Sequence, residues 1–195
     1  MLTFVWDVDD VLNHLMRTWF TDEWLPGHPA CRLTYSDIRE NPPHRVLGIS
    51  KAEYLASLDA FRVSEKARAM MPDSAILDWF RCHGARHRHI ALTARPLASA
   101  PCLSAWVLQH FGDYLRVFGV VPTRIESGVP RYDTSKEDFL RWFGKADLLI
   151  DDSEENIAAA RSLGIRNVLY PQPWNGNRTT VDETLRRLAD LAEAN

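Results

Sequence analysis

Apolar residues follow two patterns that alternate along the chain. Short runs rich in branched aliphatic and aromatic residues are typical of β-strands, and five of them occur: Leu2–Trp6, His89–Leu92, Leu115–Val121, Leu148–Ile150 and Asn167–Tyr170. Between most of these runs the apolar residues recur at helical spacing, as they do from Leu103 to Phe111. Strands that alternate with helices build a mostly parallel sheet covered on both faces, so the pattern predicts a doubly wound, Rossmann-like α/β fold.

Polar residues and glycine mark where several predicted helices begin and end. Thr134 with Glu137, and Thr180 with Glu183, have the spacing of a capping box, which predicts a helix start at each threonine. Gly164 follows an apolar helical stretch, at the position where a helix C-cap commonly has glycine. These signals predict one helix after each of the last three strands.

The connection between the first two predicted strands is much longer than the others. A crossover between parallel strands needs about a dozen residues, whereas this one runs from Asn13 to Met71. It contains an apolar helical stripe directly after the first strand and a second helical stretch from about Ser50 to Phe61. We therefore expect residues 14–71 to form a small helical cap inserted after the first strand, and residues 1–13 with 72–195 to form the α/β core.

Composition narrows the class of protein. A net charge of −3 over 195 residues lacks the basic excess of a nucleic-acid-binding protein, so no nucleic acid polymer is expected as a partner. Cys31, Cys82 and Cys102 are odd in number and far apart, which fits reduced thiols better than disulfides or a zinc site. No apolar stretch is long enough to span a membrane, and the N-terminus lacks the basic region of a signal peptide. The sequence therefore predicts a soluble cytoplasmic protein without a membrane partner.

Three carboxylates, Asp7, Asp9 and Asp10, come directly after the first predicted strand. Clustered carboxylates repel one another and raise one another's pKa, and a hard cation such as Mg²⁺ removes this penalty. An aspartate in such a cluster can also be a nucleophile towards a phosphoryl group. An acidic turn after a strand would leave the same pattern, so the interpretation depends on the rest of the chain.

Polar residues also follow two other predicted strands. Thr93 and Arg95 come after the second strand, and Asp151 with Asp152 after the fourth. Ligands of an open parallel sheet bind outside the carboxyl ends of its strands, so these side chains are expected to meet at one site. Lys136 lies in the first turn of a predicted helix, where a cation opposes the helix dipole. Considered by itself, Lys136 fits an exposed lysine better than a site residue.

The order Asp-x-Asp, Thr, Lys, Asp-Asp resembles the haloacid dehalogenase-like (HAD) phosphatase superfamily, from Phe4 to about Tyr170. The resemblance implies that Asp7 is the nucleophile, which forms an aspartyl-phosphate, and that Asp9 is the general acid–base. It also implies that the Thr93 hydroxyl binds the phosphoryl oxygens and that Lys136 balances their charge. These residue types suit phosphoryl transfer, which needs an in-line nucleophile, a leaving-group acid and positive charge around the phosphoryl oxygens.

The same resemblance implies a Mg²⁺ cofactor held by Asp7, the backbone carbonyl of Asp9, Asp151 and Asp152. Anionic neighbours would raise the pKa of Asp9 and let it hold a proton near neutral pH. The presence of Asp9 also favours a phosphatase over a dehalogenase, which by family resemblance lacks this second aspartate. Asp10 departs from the family pattern, which commonly has glycine there, and would weaken anion binding if its side chain pointed inward.

Within the superfamily the chain looks most like the 5′(3′)-deoxyribonucleotidases and their bacterial relatives. The features that carry this resemblance are Glu155-Asn156 after the acidic pair, the Trp106–Phe111 helix and the late Pro173-Trp174-Asn175. The run Thr93-Ala94-Arg95-Pro96 is closer to the bacterial relatives than to the cytosolic and mitochondrial enzymes. The resemblance implies that the substrate is a small phosphorylated molecule, namely a nucleoside monophosphate. The alternative substrate is a sugar phosphate or another small phosphomonoester.

A nucleotidase also needs aromatic side chains against which the base can pack. The predicted cap offers Trp19, Phe20 and Trp24 as substrate-binding candidates, and Trp19 and Phe20 also fit the interior of the cap. Arg95 is a candidate for contact with the phosphate or with the cap. Further aromatic candidates in the cap are Tyr35, Tyr54 and Phe61.

Parts of the sequence also fit other classes of protein and another kind of site. His83, His87 and His89 have a spacing that suggests a metal site, but no cysteine or carboxylate completes it, so a solvated turn is predicted. A receiver domain of a signalling pair uses similar residues, but by resemblance its acidic pair comes first and its lysine last. A catalytically silent binding protein of the same fold is a third class, although every core position has a competent residue.

Overall fold

The computed structural model describes residues 1–124 and 128–193. Its centre is a five-stranded sheet in the order β3-β2-β1-β4-β5, and every neighbouring pair of strands is parallel. The strands are β1 (Thr3–Trp6), β2 (Arg88–Arg95), β3 (Leu115–Pro122), β4 (Leu148–Asp151) and β5 (Arg166–Leu169). All five strands predicted from the sequence are present, and β2 continues beyond its predicted end to Arg95.

Helices lie between the strands and cover both faces of the sheet. They are α1 (Leu15–Trp19), α2 (Leu25–Gly27), α3 (Lys51–Arg62), α4 (Glu65–Arg68), α5 (Ser74–His83), α6 (Ala100–Phe111), α7 (Lys136–Phe143), α8 (Glu154–Ser162) and α9 (Val181–Glu193). One face of the sheet packs against α5, α6 and α9, and the other against α7 and α8. This arrangement confirms the predicted doubly wound α/β fold. Within residues 1–124 and 128–193, no helix is long and apolar enough to cross a membrane.

Successive strand residues point alternately into the hydrophobic clusters on the two faces of the sheet. Phe4 and Trp6 of β1 contribute to the cluster with α5, α6 and α9, whereas Val5 between them contributes to the cluster with α7 and α8. In β4, Ile150 belongs to the first cluster and Leu149 to the second. All these side chains are fully buried. A strand buried on both faces has a continuous apolar sequence, which explains why β1 is apolar after Thr3 and β4 is apolar before Asp151.

Residues 14–71, which we call the inserted segment, build a hydrophobic cluster of their own. Helix α1 continues through a π-helical turn (Phe20–Trp24) into α2, and α3 buries one face through Tyr54, Leu58 and Phe61. This separate cluster supports the predicted division into an α/β core of residues 1–13 and 72–195 and a cap of residues 14–71. The boundaries themselves stay a prediction.

Two of the three predicted helix ends are confirmed. Thr180 and Glu183 form a reciprocal capping box, in which each side chain accepts a hydrogen bond from the other's backbone N–H. Gly164, with a φ of 73°, follows α8 in the left-handed conformation that glycine adopts without strain. The box predicted at Thr134 is wrong by one residue, because the Ser135 side chain accepts the hydrogen bond of the third helical N–H and α7 begins at Lys136.

The histidine-rich turn differs from its prediction at one position. His89 is buried, with 4% of its surface exposed, instead of lying in solvent. Its Nδ1 accepts a hydrogen bond of 3.1 Å from Nε1 of Trp6, and its Nε2 lies 2.8 Å from the carbonyl oxygen of Gly84. Because the carbonyl can only accept, the imidazole carries its hydrogen on Nε2 and is neutral. His89 is therefore part of the interior on the α5 side of the sheet.

The strand order places the switch point of the sheet beside β1. The chain passes from β1 to β2 and β3 on one side, and then returns to build β4 and β5 on the other side. Asp7 follows β1 and Asp151 ends β4, its immediate neighbour. Ligands of doubly wound sheets bind at the carboxyl ends of the strands flanking such a point, and this is where Asp7, Lys136, Asp151 and Asp152 meet.

Candidate active site

Lys136 bridges two carboxylates at the ends of neighbouring strands. Its Nζ lies 2.7 Å from Oδ1 of Asp7 and 2.7 Å from Oδ2 of Asp151, and all three side chains are buried. Burial would lower the pKa of Lys136, but the carboxylates of Asp151 and Asp7 outweigh it and raise this pKa above its ordinary value. The lysine is therefore a buried cation of the site and not the exposed residue that its sequence position alone suggested.

The acidic residues around this bridge fit a divalent cation. One carboxylate oxygen each from Asp7, Asp151 and Asp152 lies within 4.8 Å of the others. Three carboxylates against the single Lys136 ammonium leave two negative charges uncompensated. Burial, together with the neighbouring carboxylates, raises the pKa of Asp7 well above its usual value and that of Asp152 to about 7. Mg²⁺ takes oxygen ligands and is commonly bound by carboxylates, so the three residues fit the implied cofactor.

The acidic pair is held in place by residues that carried the nucleotidase resemblance. Asn156 Nδ2 lies 3.0 and 3.1 Å from the two carboxylate oxygens of Asp151, to which it donates. Trp174 Nε1 donates a hydrogen bond of 2.8 Å to Oδ2 of Asp152, and Asn175 Nδ2 donates one of 2.8 Å to the backbone carbonyl of Asp152. Hydrogen bonds of this kind orient the carboxylates that bind a metal.

A cavity of about 370 Å³ opens onto the carboxylates of Asp7 and Asp152, and both parts of the chain line it. The core contributes Asp7, Thr93 and Asp152, and the inserted segment contributes Met16, Tyr54 and Arg62. The Thr93 Oγ1 atom is buried and has no hydrogen-bond partner among the residues that the structure describes. Leaving a buried hydroxyl without a partner is costly, and an oxygen-rich ligand in the cavity would satisfy it.

Asp9 is bound by two arginines. Nη2 of Arg95 donates to both carboxylate oxygens, at 3.0 and 2.9 Å, and Nη2 of Arg62 lies 3.8 Å from Oδ2. Burial would raise the pKa of Asp9, but the two guanidiniums outweigh it and lower this pKa below its usual value. The predicted rise was based on the anionic neighbours alone and is wrong, because it did not place the two guanidiniums beside Asp9.

Arg95 and the Asp9 carboxylate pair with each other instead of facing a substrate or a metal ion. Arg95 is 2% exposed and, within the described chain, lies outside the set of side chains that line the cavity of about 370 Å³. Its partner is Asp9 rather than a ligand in that cavity. The Asp9 carboxylate, engaged by Arg95, is separate from the three clustered carboxylates. The contribution of Asp9 to metal binding therefore depends on its backbone carbonyl and stays a prediction.

Asp10 adopts the left-handed conformation that glycine would take in the family pattern, with a φ of 63°. Its Oδ1 accepts a hydrogen bond of 2.9 Å from the backbone N–H of Met16, in the first turn of α1. Its backbone carbonyl accepts one of 2.5 Å from Nε2 of Gln172. Burial raises the pKa of Asp10 well above its usual value, and the Asp9 and Asp7 carboxylates add to this rise. The carboxylate borders the cavity but is bound to the start of the inserted segment.

The aromatic residues predicted to pack against the substrate lie in the interior of the inserted segment. Trp19 and Phe20 are 0% exposed and Trp24 is 7% exposed, and in the part of the chain described none of the three borders the cavity. Their helical stripe packs against α3, where the ring of Trp19 meets that of Tyr54 edge to face. The aromatic side chains that do line the cavity are Tyr54 and Trp174.

Two side chains at the site were not singled out from the sequence. Arg62 follows Leu58 by four residues and therefore lies on the same buried face of α3, which is the signal that marks it. Gln172 donates to the carbonyl of Asp10 and accepts a hydrogen bond of 2.8 Å from the Tyr35 hydroxyl. No spacing in the sequence marks Gln172, because its partners are far away along the chain.

Solved structures with the same fold are HAD-superfamily hydrolases. A haloacid dehalogenase-like hydrolase from Streptococcus pneumoniae has a TM-score of 0.66 at 12% identity, with 98% of each chain covered. A structure from Thermotoga maritima assigned as a beta-phosphoglucomutase has a TM-score of 0.58 at 17% identity, covering 98% of this chain and 100% of that one. The HAD hydrolase YfnB from Bacillus subtilis, bound to magnesium, has a TM-score of 0.57 at 13% identity, with 98% of each chain covered.

Comparison of sequences adds no relative to these structures. No protein-family model matches the chain, and no curated protein matches it. The sheet order, the helices on both faces and the likeness to solved structures along nearly the whole chain together establish the fold. The chain has the α/β fold of the HAD-superfamily hydrolases.

Proposed function

We propose that the protein is a Mg²⁺-dependent phosphomonoester hydrolase that works through an aspartyl-phosphate on Asp7. The observation that carries this proposal is the buried bridge from Lys136 to Asp7 and Asp151, with Asp152 within ligand distance. An ion-pair cluster that only stabilised the fold would not need a third buried carboxylate there, because like charges repel. The likeness to HAD hydrolases, one of them bound to magnesium, supports the same chemistry.

The proposed reaction has two steps. The Asp7 carboxylate attacks phosphorus, the ester P–O bond breaks, and the leaving oxygen takes a proton from Asp9. Water then attacks the phosphorus of the aspartyl-phosphate, Asp9 accepts its proton, and the bond to Asp7 breaks to release phosphate. Because Arg95 and Arg62 lower its pKa, Asp9 is ionised in the free protein and suits the second step. For the first step it must gain a proton as the substrate enters.

The remaining site residues hold the phosphoryl group. The free Thr93 hydroxyl would donate to a phosphoryl oxygen, and the Lys136 ammonium would balance its charge. Asp7, Asp151 and Asp152 would hold Mg²⁺, which supplies further positive charge at the phosphoryl oxygens. Every role in the reaction therefore has a residue of the required chemistry, which favours an enzyme over a silent binding protein.

The proposed substrate is a small phosphorylated molecule, a nucleoside monophosphate by the nucleotidase resemblance. Asn156 and Trp174, which carry that resemblance, orient the acidic pair. The cavity of about 370 Å³ has a size suited to a small ligand, and the Tyr54 and Trp174 side chains give it an aromatic wall. A sugar phosphate is the second candidate, which the likeness to a structure assigned as a beta-phosphoglucomutase favours.

Phosphate release tests the proposal. The protein would be assayed with Mg²⁺ against nucleoside monophosphates, sugar phosphates and an aryl phosphate, with Asp7→Asn as the blank. We expect turnover that requires Mg²⁺, stops with EDTA and is absent from the variant. Selective turnover of nucleotides supports the nucleotidase, and selective turnover of sugar phosphates supports the second candidate. Turnover by Asp7→Asn equal to that of the unaltered protein would refute Asp7 as the nucleophile.

A further inference from the structure

Arg62, the last residue of α3, lines the cavity, and one of its guanidinium nitrogens makes a hydrogen bond to a neighbouring carboxylate. Its Nη1 donates a hydrogen bond of 2.9 Å to Asp59. Its Nε is buried with no hydrogen-bond partner among the described residues, and the acid oxygen nearest to Nη2 is 3.8 Å away, on Asp9. Nε–H and Nη2–H lie along one edge of the guanidinium and form a two-donor fork, which makes no hydrogen bond to a described residue and has only the loose ion pair with Asp9. Such a fork matches the two oxygens of a carboxylate or a phosphoryl group.

The fork lies on the side of the site where the leaving group of the substrate is expected. The phosphoryl group is assigned to Asp7, Thr93 and Lys136 in the proposed reaction, whereas Asp9 gives its proton to the leaving oxygen. Nη2 of Arg62 lies 3.8 Å from Asp9 and therefore beside the place where the leaving group must stand. Arg62 belongs to the inserted segment and lines the same cavity. It faces the part of the substrate that differs from one phosphomonoester to another.

The surrounding charges hold the fork in place. Arg124 of the core pairs with Asp59, Asp59 pairs with Arg62, and Arg62 approaches Asp9, which Arg95 binds. This chain of alternating charges contains three arginines and two aspartates, and the Asp10 carboxylate lies close enough to feel the charge of Arg62. The Arg62 side chain is only 12% exposed, which limits screening by solvent. A donor fork fixed before binding loses little entropy when an anion arrives.

We infer that Arg62 binds an oxyanion carried by the leaving group, so that the preferred substrates are phosphomonoesters with a carboxylate or a second phosphoryl group near the ester oxygen. This inference rests on the proposed hydrolase reaction and names a residue that selects the substrate, and it replaces the simple nucleoside monophosphate by an ester whose leaving group carries an anion. A leaving group without such an anion, such as an unmodified nucleoside, leaves the fork without a partner. A nucleoside bisphosphate or a phosphorylated hydroxy acid satisfies it.

Binding of matched ligands tests the inference without turnover. Calorimetry on Asp7→Asn with Mg²⁺ would compare phosphoglycolate with 2-hydroxyethyl phosphate, which replaces the carboxylate by an alcohol of similar size. Adenosine 3′,5′-bisphosphate and adenosine 5′-monophosphate form the second pair and test the phosphoryl form of the anion. We expect the anionic member of at least one pair to bind about tenfold more tightly or better. Equal affinity within both pairs, including no binding by any ligand, would overturn the inference.

Variants of Arg62 connect that preference to the side chain. Adding Arg62→Gln to Asp7→Asn should bring the affinity ratio close to one, since the amide keeps neither the charge nor the fork. Adding Arg62→Lys keeps the charge but not the fork, and should leave an intermediate ratio. Arg81→Gln is the matched control, because it removes an exposed arginine that lies outside both the charge chain and the cavity lining and should leave the ratio unchanged. A preference that survives Arg62→Gln in a folded protein would refute the assignment.

Failure of the proposed function is visible separately. Phosphate release from an aryl phosphate by the unaltered protein reports on the reaction itself and does not involve an anion on the leaving group. Release from the aryl phosphate combined with equal binding within the pairs overturns the role of Arg62 alone. A binding preference that depends on Arg62, without release from any phosphomonoester, supports the anion site and overturns the hydrolase. Circular dichroism of each variant confirms that it is folded.

Discussion

Trp174 and Asp152 are joined by a hydrogen bond of 2.8 Å from the indole Nε1 to the carboxylate Oδ2. Trp174 lies on the loop after β5, and its ring meets that of Tyr35 in the inserted segment nearly perpendicularly, with ring centroids 6.2 Å apart. One side chain thus contacts a predicted metal ligand and the segment that covers it. A carboxylate held by a fixed donor has one orientation, which is the condition for binding a metal in a defined geometry.

This contact predicts that Trp174→Phe weakens Mg²⁺ binding. Phenylalanine keeps the aromatic packing but has no N–H for Asp152, so the carboxylate loses its orienting donor. Loss of such a partner typically lowers metal affinity by about 10- to 100-fold. Titration calorimetry with Mg²⁺ would measure the change. Trp142→Phe is the matched control, since Trp142 is 75% exposed and lies away from the cavity lining; equal affinity in the two variants would contradict the prediction.

The meeting of Asp7, Thr93 and Asp151 was predictable from the sequence. Each residue lies at or near the end of an apolar run, and parallel strands bring their carboxyl ends to one edge of the sheet. The strand order then places β4 beside β1, so that the two aspartates share a lysine. Periodicity and the order of motifs were sufficient for these positions because the constraint is a property of the sheet as a whole.

The partner of Asp9 could not be predicted in the same way. Its pairing with Arg95 depends on β2 continuing past Leu92, which no helical or strand period marks. The sequence also does not show whether Trp19 and Phe20 face the interior of the cap or the cavity. An apolar stripe shows which face of a helix is buried, but a cap has both an interior and a cavity wall, and only packing against α3 distinguishes them.

Removal of the buried cation should affect both turnover and stability. In Lys136→Met the carboxylates of Asp7 and Asp151 lose their common partner, and breaking a buried ion pair typically costs about 3–5 kcal/mol. We expect turnover to fall by about 10²-fold or more, because the phosphoryl oxygens also lose a donor. Phosphate release and urea unfolding would measure the two effects. Added Mg²⁺ should increase the stability of this variant more than that of the unaltered protein, since it balances the carboxylate charge that Lys136 no longer balances.

The control for that variant is Lys145→Met, since Lys145 is an exposed lysine just after α7. Its removal changes the net charge equally but leaves the bridge between Asp7 and Asp151 intact. We expect turnover and the free energy of unfolding to stay near those of the unaltered protein. Similar losses in Lys136→Met and Lys145→Met would show that the bridge contributes nothing specific.

Three substitutions at Asp10 should separate its hydrogen bond from its backbone conformation. Asp10→Asn keeps an acceptor for the Met16 N–H and tolerates a φ of 63°, so its stability should be nearest to the unaltered protein. Asp10→Gly loses the hydrogen bond, worth about 1 kcal/mol, but adopts the conformation freely. Asp10→Ala loses the bond and must also hold a left-handed conformation, at about 1 kcal/mol more. Urea unfolding would rank the variants, and equal stability of the alanine and glycine variants would contradict this account.

His89 makes stability depend on pH in a defined range. Burial lowers the pKa of His89 from its ordinary value of 6.5 to about 4, although the Gly84 carbonyl partly offsets it. Protonation would place a second N–H against the Trp6 indole N–H, which is already a donor. Between pH 6.5 and pH 4 the unfolded chain therefore binds a proton that the folded protein does not.

Acidification through that range should consequently destabilise the fold. The full contribution of neutral His89 is present above about pH 6.5, is lost progressively as the pH falls towards 4, and changes no further below it. The loss attributable to this residue between pH 7 and pH 5 is about 2 kcal/mol. Urea unfolding of the unaltered protein and of His89→Gln at both pH values would measure it, because the other titrating groups cancel in the difference. If both proteins lose the same free energy of unfolding on acidification, His89 is not the group responsible.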